Sequence, residues 1–169
     1  MGIWTNFKSW TREILIGIAQ EMSDSGHHSE NLSACTPKIV KNPGKYSKDI
    51  LGRKGEELGT KYLMDLNYKI LYQNIKFPSC EFDLIAEDPK TNEIVMVEIK
   101  TRRSDHFCAP EEEVDQRRVK KMVDAAYEYV RWSRQYNCNL RFDIISILWP
   151  DNKEPQINHL IGAIDPRSL

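Results

Sequence analysis

A glutamate and a lysine stand two residues apart at the end of an apolar stretch, in the segment IVMVEIKTRR at residues 94–103. Residues 94–97 are apolar without a break, which is typical of a strand covered on both faces. Side chains two apart on a strand point to the same side, so Glu98 and Lys100 are expected side by side. Such a pair is either a simple ion pair or part of a site that does chemistry.

Two more carboxylates precede this pair in the segment EFDLIAE, at residues 81–87. The intervening DPKTN has turn chemistry, so the two segments are predicted to form an antiparallel hairpin. If Glu81 lies opposite Glu98, then Asp83 and Lys100 share their side of the hairpin. A register shifted by one residue would move Asp83 to the other side.

Three carboxylates around one lysine repel one another at neutral pH and favour a bound cation. Mg²⁺, with Mn²⁺ as a substitute, prefers oxygen ligands and keeps waters and phosphate oxygens in its shell. We expect Asp83, Glu98 and the main-chain carbonyl of Ile99 to hold it. Lys100 would position or deprotonate the attacking water, or offset charge on the phosphate. The chemistry predicted is metal-assisted hydrolysis of a phosphodiester.

A helix predicted from about residue 47 to residue 66 adds a further carboxylate. Its glycines Gly52, Gly55 and Gly59 each cost about 1 kcal/mol relative to alanine, which indicates that the helix backbone lies close against the sheet. The helical wheel places Glu56 at the margin of the buried arc and turns Glu57 away. Glu56 is therefore expected to reach the metal site; the alternative is that both are solvated helix charges.

The remaining patterns predict an α/β fold with a mixed central β-sheet flanked by helices, in the order αβββαββ. Strands are predicted at residues 68–74, 81–87, 93–100, 140–149 and 157–164, with a second helix at about 114–134. A strand, helix and strand of this length indicate a right-handed crossover, which makes residues 142–148 parallel to residues 95–99.

The chain is predicted to have three parts. Residues 1–22 form an amphipathic N-terminal helix, residues 23–45 a linker and residues 46–169 the folded domain. The helix is expected to dock on its own domain or on a partner, because its basic face is thin for a membrane-surface anchor.

Composition limits the function classes. The formal net charge of −1 gives no global basic field, so a nucleic-acid surface would have to be a local patch. Its candidates are Arg102, Arg103, Arg117, Arg118, Lys120 and Lys121, for which a mixed solvated face is the alternative. The four cysteines are far apart, which favours free thiols in a cytoplasmic protein. No apolar run approaches the roughly 20 residues of a membrane span.

Several other polar residues have a structural interpretation. Asp143 is expected to pair with Arg141 or support the site, and His159 to be a satisfied histidine in the last strand. His106 and Cys108 fall in the loop after the Glu98–Lys100 strand, where an ordinary loop role is favoured.

Six segments in order resemble the YraN-like family of small bacterial proteins: GRKGEELGTKYLMDLNYKILYQN, EFDLIAED, VMVEIKTRR, APEEEVDQRRVKKMVDAAYEYV, RFDIISI and INHLIGAI. The resemblance spans residues 51–164 and implies a restriction-endonuclease-like PD-(D/E)XK fold, similar to archaeal Holliday-junction resolvases. It implies the site residues Glu56, Asp83, Glu98 and Lys100, with supporting roles for Glu81, Thr101 and Arg102. Cys80 stands where the family has glycine, and Gly59 where it has alanine.

The function implied is a metal-dependent endonuclease acting on DNA, including branched or damaged DNA. Cleavage of a symmetric junction would require a two-fold homodimer. The alternative is a catalytically inactive adaptor that keeps the fold and binds nucleic acid or a protein. A third interpretation leaves Glu98 and Lys100 as a structural ion pair.

Overall fold

The computed structural model describes residues 36–39, 50–104 and 116–164, and in these ranges a six-stranded sheet lies between two helices. The elements are β1 (Lys38–Ile39), α1 (Ile50–Asp65), β2 (Lys69–Lys76), β3 (Glu81–Glu87), β4 (Ile94–Arg102), α2 (Gln116–Ser133), β5 (Leu140–Leu148) and β6 (Gln156–Leu160). The strands follow one another across the sheet in chain order. Only β4 and β5 are parallel; the other neighbouring strands are antiparallel. The predicted mixed α/β sheet and the order αβββαββ are confirmed.

Several boundaries differ from the sequence prediction, and the largest differences are at the two edges of the sheet. Lys38 and Ile39, inside the predicted linker, pair with Lys76 and Ile75 and add an edge strand to the sheet. The last strand ends at Leu160 rather than at residue 164, because a turn follows in which Gly162 has a φ of 64°. The predicted N-terminal helix, His106 and Cys108 lie outside the described residues.

The sheet is buried on both sides, and each side has its own apolar core. On the α1 side the core consists of Leu63, Leu84, Val95, Val97, Ile99, Ile145 and Ile147. On the α2 side the core includes Phe82, Met96, Met122, Tyr129 and Phe142. The two cores explain the unbroken apolar run in β4, because its successive side chains enter opposite cores. In the part of the chain that the structure describes, neither helix is long and apolar enough to cross a membrane.

The hairpin of β3 and β4 has a different register from the one predicted. Leu84 pairs with Val97, and the same offset continued by one pair puts Asp83 opposite Glu98. The expectation that Glu81 lies opposite Glu98 is therefore wrong by two residues. The turn sets the offset, because the Asp88 N–H donates to the Glu93 carbonyl at 3.0 Å and leaves a short connection. The predicted common side is not observed either: Val97 and Ile99 of the α1-side core flank Glu98, whose side chain contacts α2, whereas Asp83 faces a cleft on the α1 side.

A buried arginine holds together the end of the sheet where β4 and β5 begin. Arg141 is 3% exposed, and its guanidinium contacts the carboxylates of Asp88, Glu93 and Asp143 at 2.7 to 3.1 Å. Asp143 also contacts His159 Nε2 at 2.9 Å. The structural interpretation of Asp143 and His159 agrees with these contacts.

Helix α1 lies so close to β4 that two of its glycines have no room for a side chain. A Cβ at Gly55 would lie 1.7 Å from Thr101 Oγ1, and one at Gly59 would lie 2.8 Å from Ile99 Cδ1. The close approach predicted for this helix is confirmed at both positions.

We expect Gly55→Ala to lower the free energy of unfolding by about 2 kcal/mol or more, because overpacking at Thr101 outweighs the gain in helix propensity. Gly59→Ala should cost less, since the atom it meets is the flexible end of Ile99. Urea unfolding measures both. Glu57→Ala, at an exposed position of the same helix, is the control and should stay within about 0.5 kcal/mol of the wild type. Equal stability of Gly55→Ala and wild type would contradict the packing.

Candidate active site

Helix α1 turns one of its two adjacent glutamates inward. Glu56, next to Gly55, is half-buried, and its Oε2 is buried without a hydrogen-bond partner. Glu57 is exposed and lies 3.9 Å from Arg53 Nε, as an ordinary surface charge. The wheel prediction is thus confirmed for both residues.

The surroundings of Glu56 disfavour its charged form. Burial raises the pKa of Glu56, and so does the charge of Glu81 at the start of β3. A hydrogen bond from the Asn74 side chain acts in the opposite direction and favours the carboxylate. Asn74, in β2, was not among the predicted site residues.

Asp83 links β3 to the strand that carries the glutamate–lysine pair. Its Oδ2 accepts a hydrogen bond of 2.6 Å from the N–H of Ile99, which stands between Glu98 and Lys100. Burial and the nearby charge of Glu98 raise the pKa of Asp83 to about 7, although the Ile99 N–H favours the carboxylate. Glu56 adds a smaller effect in the same direction as Glu98. The carboxylates of three elements therefore influence one another.

Glu98 is compensated by two cations. Its side chain is 10% exposed, and Lys100 Nζ lies 2.6 Å from Oε1. Arg118, which α2 presents to the sheet, donates to the same oxygen. The sequence placed Arg118 in a surface patch and missed this contact, because spacing within a helix does not tell which strand residue its side chain meets.

Thr101 and Arg102, which were predicted to support the site, follow the glutamate–lysine pair at the end of β4, and Ile99 stands within that pair. Thr101 packs beneath Gly55, and its Oγ1 is buried without a hydrogen-bond partner. The side chain of Ile99 packs beneath Gly59. Arg102 ends β4 and accepts the Trp149 N–H on its main-chain carbonyl at 2.7 Å.

Glu56 and Asp83 face a common cleft of about 240 Å³ on the α1 side of the sheet. Its walls come from α1, β2 and β3: Arg53, Glu56, Glu57, Thr60, Lys61, Met64, Gln73, Asn74, Asp83 and Leu84. The cleft thus brings together carboxylates that are 27 residues apart in the chain, beside cationic and amide side chains.

The carboxylates of these residues are oxygen ligands of the kind that Mg²⁺ prefers, but they do not form a complete set of protein ligands. Within the described ranges, no three histidine, cysteine, aspartate or glutamate side chains form a ready metal-binding group. Mg²⁺ commonly takes one or two carboxylates and completes its shell with water and phosphate oxygens. The unpartnered Oε2 of Glu56 and the raised pKa of Asp83 are features that a cation would relieve.

The family model described as "Uncharacterised protein family UPF0102" matches residues 55–147. A UPF0102 protein of Syntrophomonas wolfei is 42% identical over 113 residues, which cover 67% of this chain and 96% of that protein. A UPF0102 protein of Geotalea daltonii is 32% identical over 126 residues, 75% and 98% of the two chains. One from Geobacter metallireducens is 39% identical over 115 residues, 68% and 92%. The matched segment contains Glu56, Asp83, Glu98 and Lys100.

Asp83 predicts a pH dependence of stability. Its pKa of about 7 in the folded protein lies above the ordinary value of 3.8, so between these values the unfolded chain loses a proton that the folded chain retains. The ionisation of Asp83 therefore lowers the free energy of unfolding as the pH rises across this window, and this contribution levels off above pH 7. Asp83→Asn removes the titration and leaves an acceptor for the Ile99 N–H.

We expect the stability advantage of Asp83→Asn over wild type to grow from pH 4 to pH 8 by on the order of 1 to 3 kcal/mol. Urea unfolding at a series of pH values measures this difference. Glu57→Gln, which changes an exposed carboxylate, serves as the control. Parallel pH profiles for Asp83→Asn and wild type would show that Asp83 ionises normally.

Proposed function

This chain belongs to the UPF0102 family, and we propose that it is a metal-dependent endonuclease that hydrolyses DNA phosphodiester bonds. The observation that carries the proposal is that Glu56 and Asp83 share a cleft, while Asp83 accepts the N–H of the residue between Glu98 and Lys100. Glu56 and Glu98 both act on Asp83, whose pKa is raised to about 7. A carboxylate whose charged form is disfavoured by burial and by a neighbouring carboxylate favours a cation, and a cation near a lysine is suited to a phosphodiester.

The donor set would hold Mg²⁺, or Mn²⁺ in its place, through Asp83, Glu98, Glu56 and the main-chain carbonyl of Ile99. The bound ion would polarise the phosphate and lower the pKa of a water molecule. The chain itself supplies the placement: the Ile99 N–H holds the Asp83 carboxylate at 2.6 Å, and the glycine-lined face of α1 holds Glu56 over the cleft.

Lys100 and Arg118 would contact the phosphate of the substrate. Both donate to Glu98 Oε1, so a metal ion that takes Glu98 as a ligand would compete with them and release donors to an approaching phosphate. Lys100 would then orient the attacking water or offset the charge that develops on the phosphate. Further cations of α2, Arg117, Lys120 and Lys121, are exposed and suit contacts with the DNA backbone.

The proposal extends to the type of DNA that the protein would cut. The resemblance to resolvase-like PD-(D/E)XK proteins favours branched or damaged DNA, and the order αβββαββ with Asp83, Glu98 and Lys100 at one end of the hairpin is consistent with that fold. Action on a symmetric junction would require a homodimer.

One observation favours a second function, that of an inactive adaptor. Glu98 already has two cationic partners, and the described residues contain no ready group of three metal ligands. A chain that no longer cuts could keep the basic face of α2 for binding nucleic acid. The adaptor predicts that neither Mg²⁺ nor Mn²⁺ changes the stability of the protein.

The test is cleavage of a substrate panel with Mg²⁺ or Mn²⁺: single-stranded, duplex, flapped and four-way-junction DNA, and RNA. We expect metal-dependent cutting of DNA that Asp83→Asn, Glu98→Gln and Lys100→Met each reduce about 100-fold or more. Circular dichroism of each variant checks that the loss is not due to unfolding.

Adjacent helix positions provide a matched control. Glu56→Gln should reduce cutting, whereas Glu57→Gln, which changes the neighbouring exposed carboxylate in the same way, should not. If no nucleic acid is cut and metal leaves the melting temperature unchanged, the adaptor is the better description. Cutting that all the variants retain would place the active residues elsewhere.

A further inference from the structure

Among the described residues, Asn74 is the one residue inside a helix or strand whose backbone is left-handed. Its φ is 49°, and it lies within β2. The other residues with positive φ in these ranges lie in turns or just beyond helix ends: Asn67, Asn92, Arg134, Asn152 and Gly162. A left-handed residue in the middle of a strand is an outlier of the kind that gathers at functional sites.

The pairing of β2 with β3 places Asn74 opposite Asp83. Gln73 pairs with Leu84, and Ile75 pairs with Phe82, so the two strands keep the same offset on both sides of Asn74. No residue is inserted at this point, as it would be in a β-bulge. The left-handed backbone at Asn74 therefore leaves the register of β2 and β3 unchanged.

At Asn74 the alternation of side chains between the two sides of the sheet is broken. Consecutive residues of a strand normally point to opposite sides. Here Gln73 and Asn74 both line the cleft on the α1 side, and Asp83 does so together with its neighbour Leu84. The next pair, Ile75 and Phe82, belongs to the core on the α2 side.

We propose that Asn74 is a positioning residue of the candidate active site, with two separate tasks. Its left-handed backbone reverses the alternation and brings Asp83 to the side of the sheet where Glu56 lies. Its side-chain amide lines the cleft beside Glu56 and orients that carboxylate. The first task stands on the strand geometry alone, whereas the benefit to a metal ion rests on the proposed function.

Asparagine is suited to both tasks. It tolerates the left-handed region better than other residues with a side chain, and its amide is a hydrogen-bond donor. Asn74→Gly keeps the backbone freedom and removes the amide, while Asn74→Ala removes both. The two variants therefore separate the tasks.

The experiment has two readouts on the full chain. The first is the NMR position of the Ile99 backbone amide proton without metal, which reports the bond to Asp83; Asp83→Ala gives its position when that bond is lost. The second is the dissociation constant for Mn²⁺ by calorimetry. Lys69→Ala, at an exposed position of the same strand outside the cleft, is the control and should change neither readout.

We expect Asn74→Gly to keep the wild-type Ile99 signal but to bind Mn²⁺ about tenfold or more weakly, as loss of a residue that orients a ligand does. Asn74→Ala should move the Ile99 signal toward that of Asp83→Ala and weaken Mn²⁺ binding further. An unshifted Ile99 signal in Asn74→Ala would overturn the backbone task. Wild-type Mn²⁺ affinity in Asn74→Gly would overturn the amide task.

A wild-type protein that binds no Mn²⁺ would refute the metal in the proposed function. The Ile99 comparison would still decide whether Asn74 positions Asp83, because it requires neither metal nor activity. If Asn74→Ala does not fold, Asn74→Gly and Lys69→Ala still test the amide task.

Discussion

The candidate site depends on the close contact between α1 and the end of β4. Gly55 lies over Thr101 and Gly59 over Ile99, at separations that leave no room for a Cβ. Any other residue at Gly55 would push the helix away from the sheet, and Glu56 would move with it. The helix propensity lost at two glycines, about 1 kcal/mol each, is offset by the packing that the approach permits. The same contact carries Glu56 into the cleft that it shares with Asp83.

Buried carboxylates have more hydrogen-bond and ion-pair partners at one end of the sheet than at the other. Where β4 and β5 begin, Arg141 contacts three carboxylates, and Asp143 has His159 and the Gly162 N–H as further partners. This end is compensated, which is how buried charges persist in a stable core. Near the end of β4, by contrast, burial raises the pKa of both Glu56 and Asp83, and Glu56 Oε2 has no hydrogen-bond partner. The chain is able to compensate buried carboxylates and does so incompletely at only one of these ends, which favours a functional reason.

The sequence predicted what depends on periodicity. The apolar run in β4, the turn before it and the spacing to β5 gave the antiparallel hairpin and the parallel pair, and the helical wheel distinguished Glu56 from Glu57. The register was missed by two residues, because turn chemistry indicates a hairpin without setting which residues close it. Arg118 was missed as a partner of Glu98, since that contact depends on how α2 packs. Asn74 was predicted only as the last residue of a strand. A strand prediction assumes that side chains alternate regularly between the two sides of the sheet, so it cannot reveal a position at which the alternation breaks.

The bond from the Ile99 N–H to Asp83 connects residues of the candidate site that are otherwise separate along the chain. The Ile99 N–H donates to the Asp83 side chain instead of to a carbonyl of β3, and the paired residues of β3 and β4 accordingly end at Leu84 and Val97. The residue that donates stands between Glu98 and Lys100, so any movement of Asp83 is transmitted to both. Since the side chain of Ile99 also packs beneath Gly59, the same residue connects the hairpin to α1. Ile99 therefore connects Asp83 to the glutamate–lysine pair and to α1, through a backbone N–H that the pattern of side chains in the sequence does not indicate.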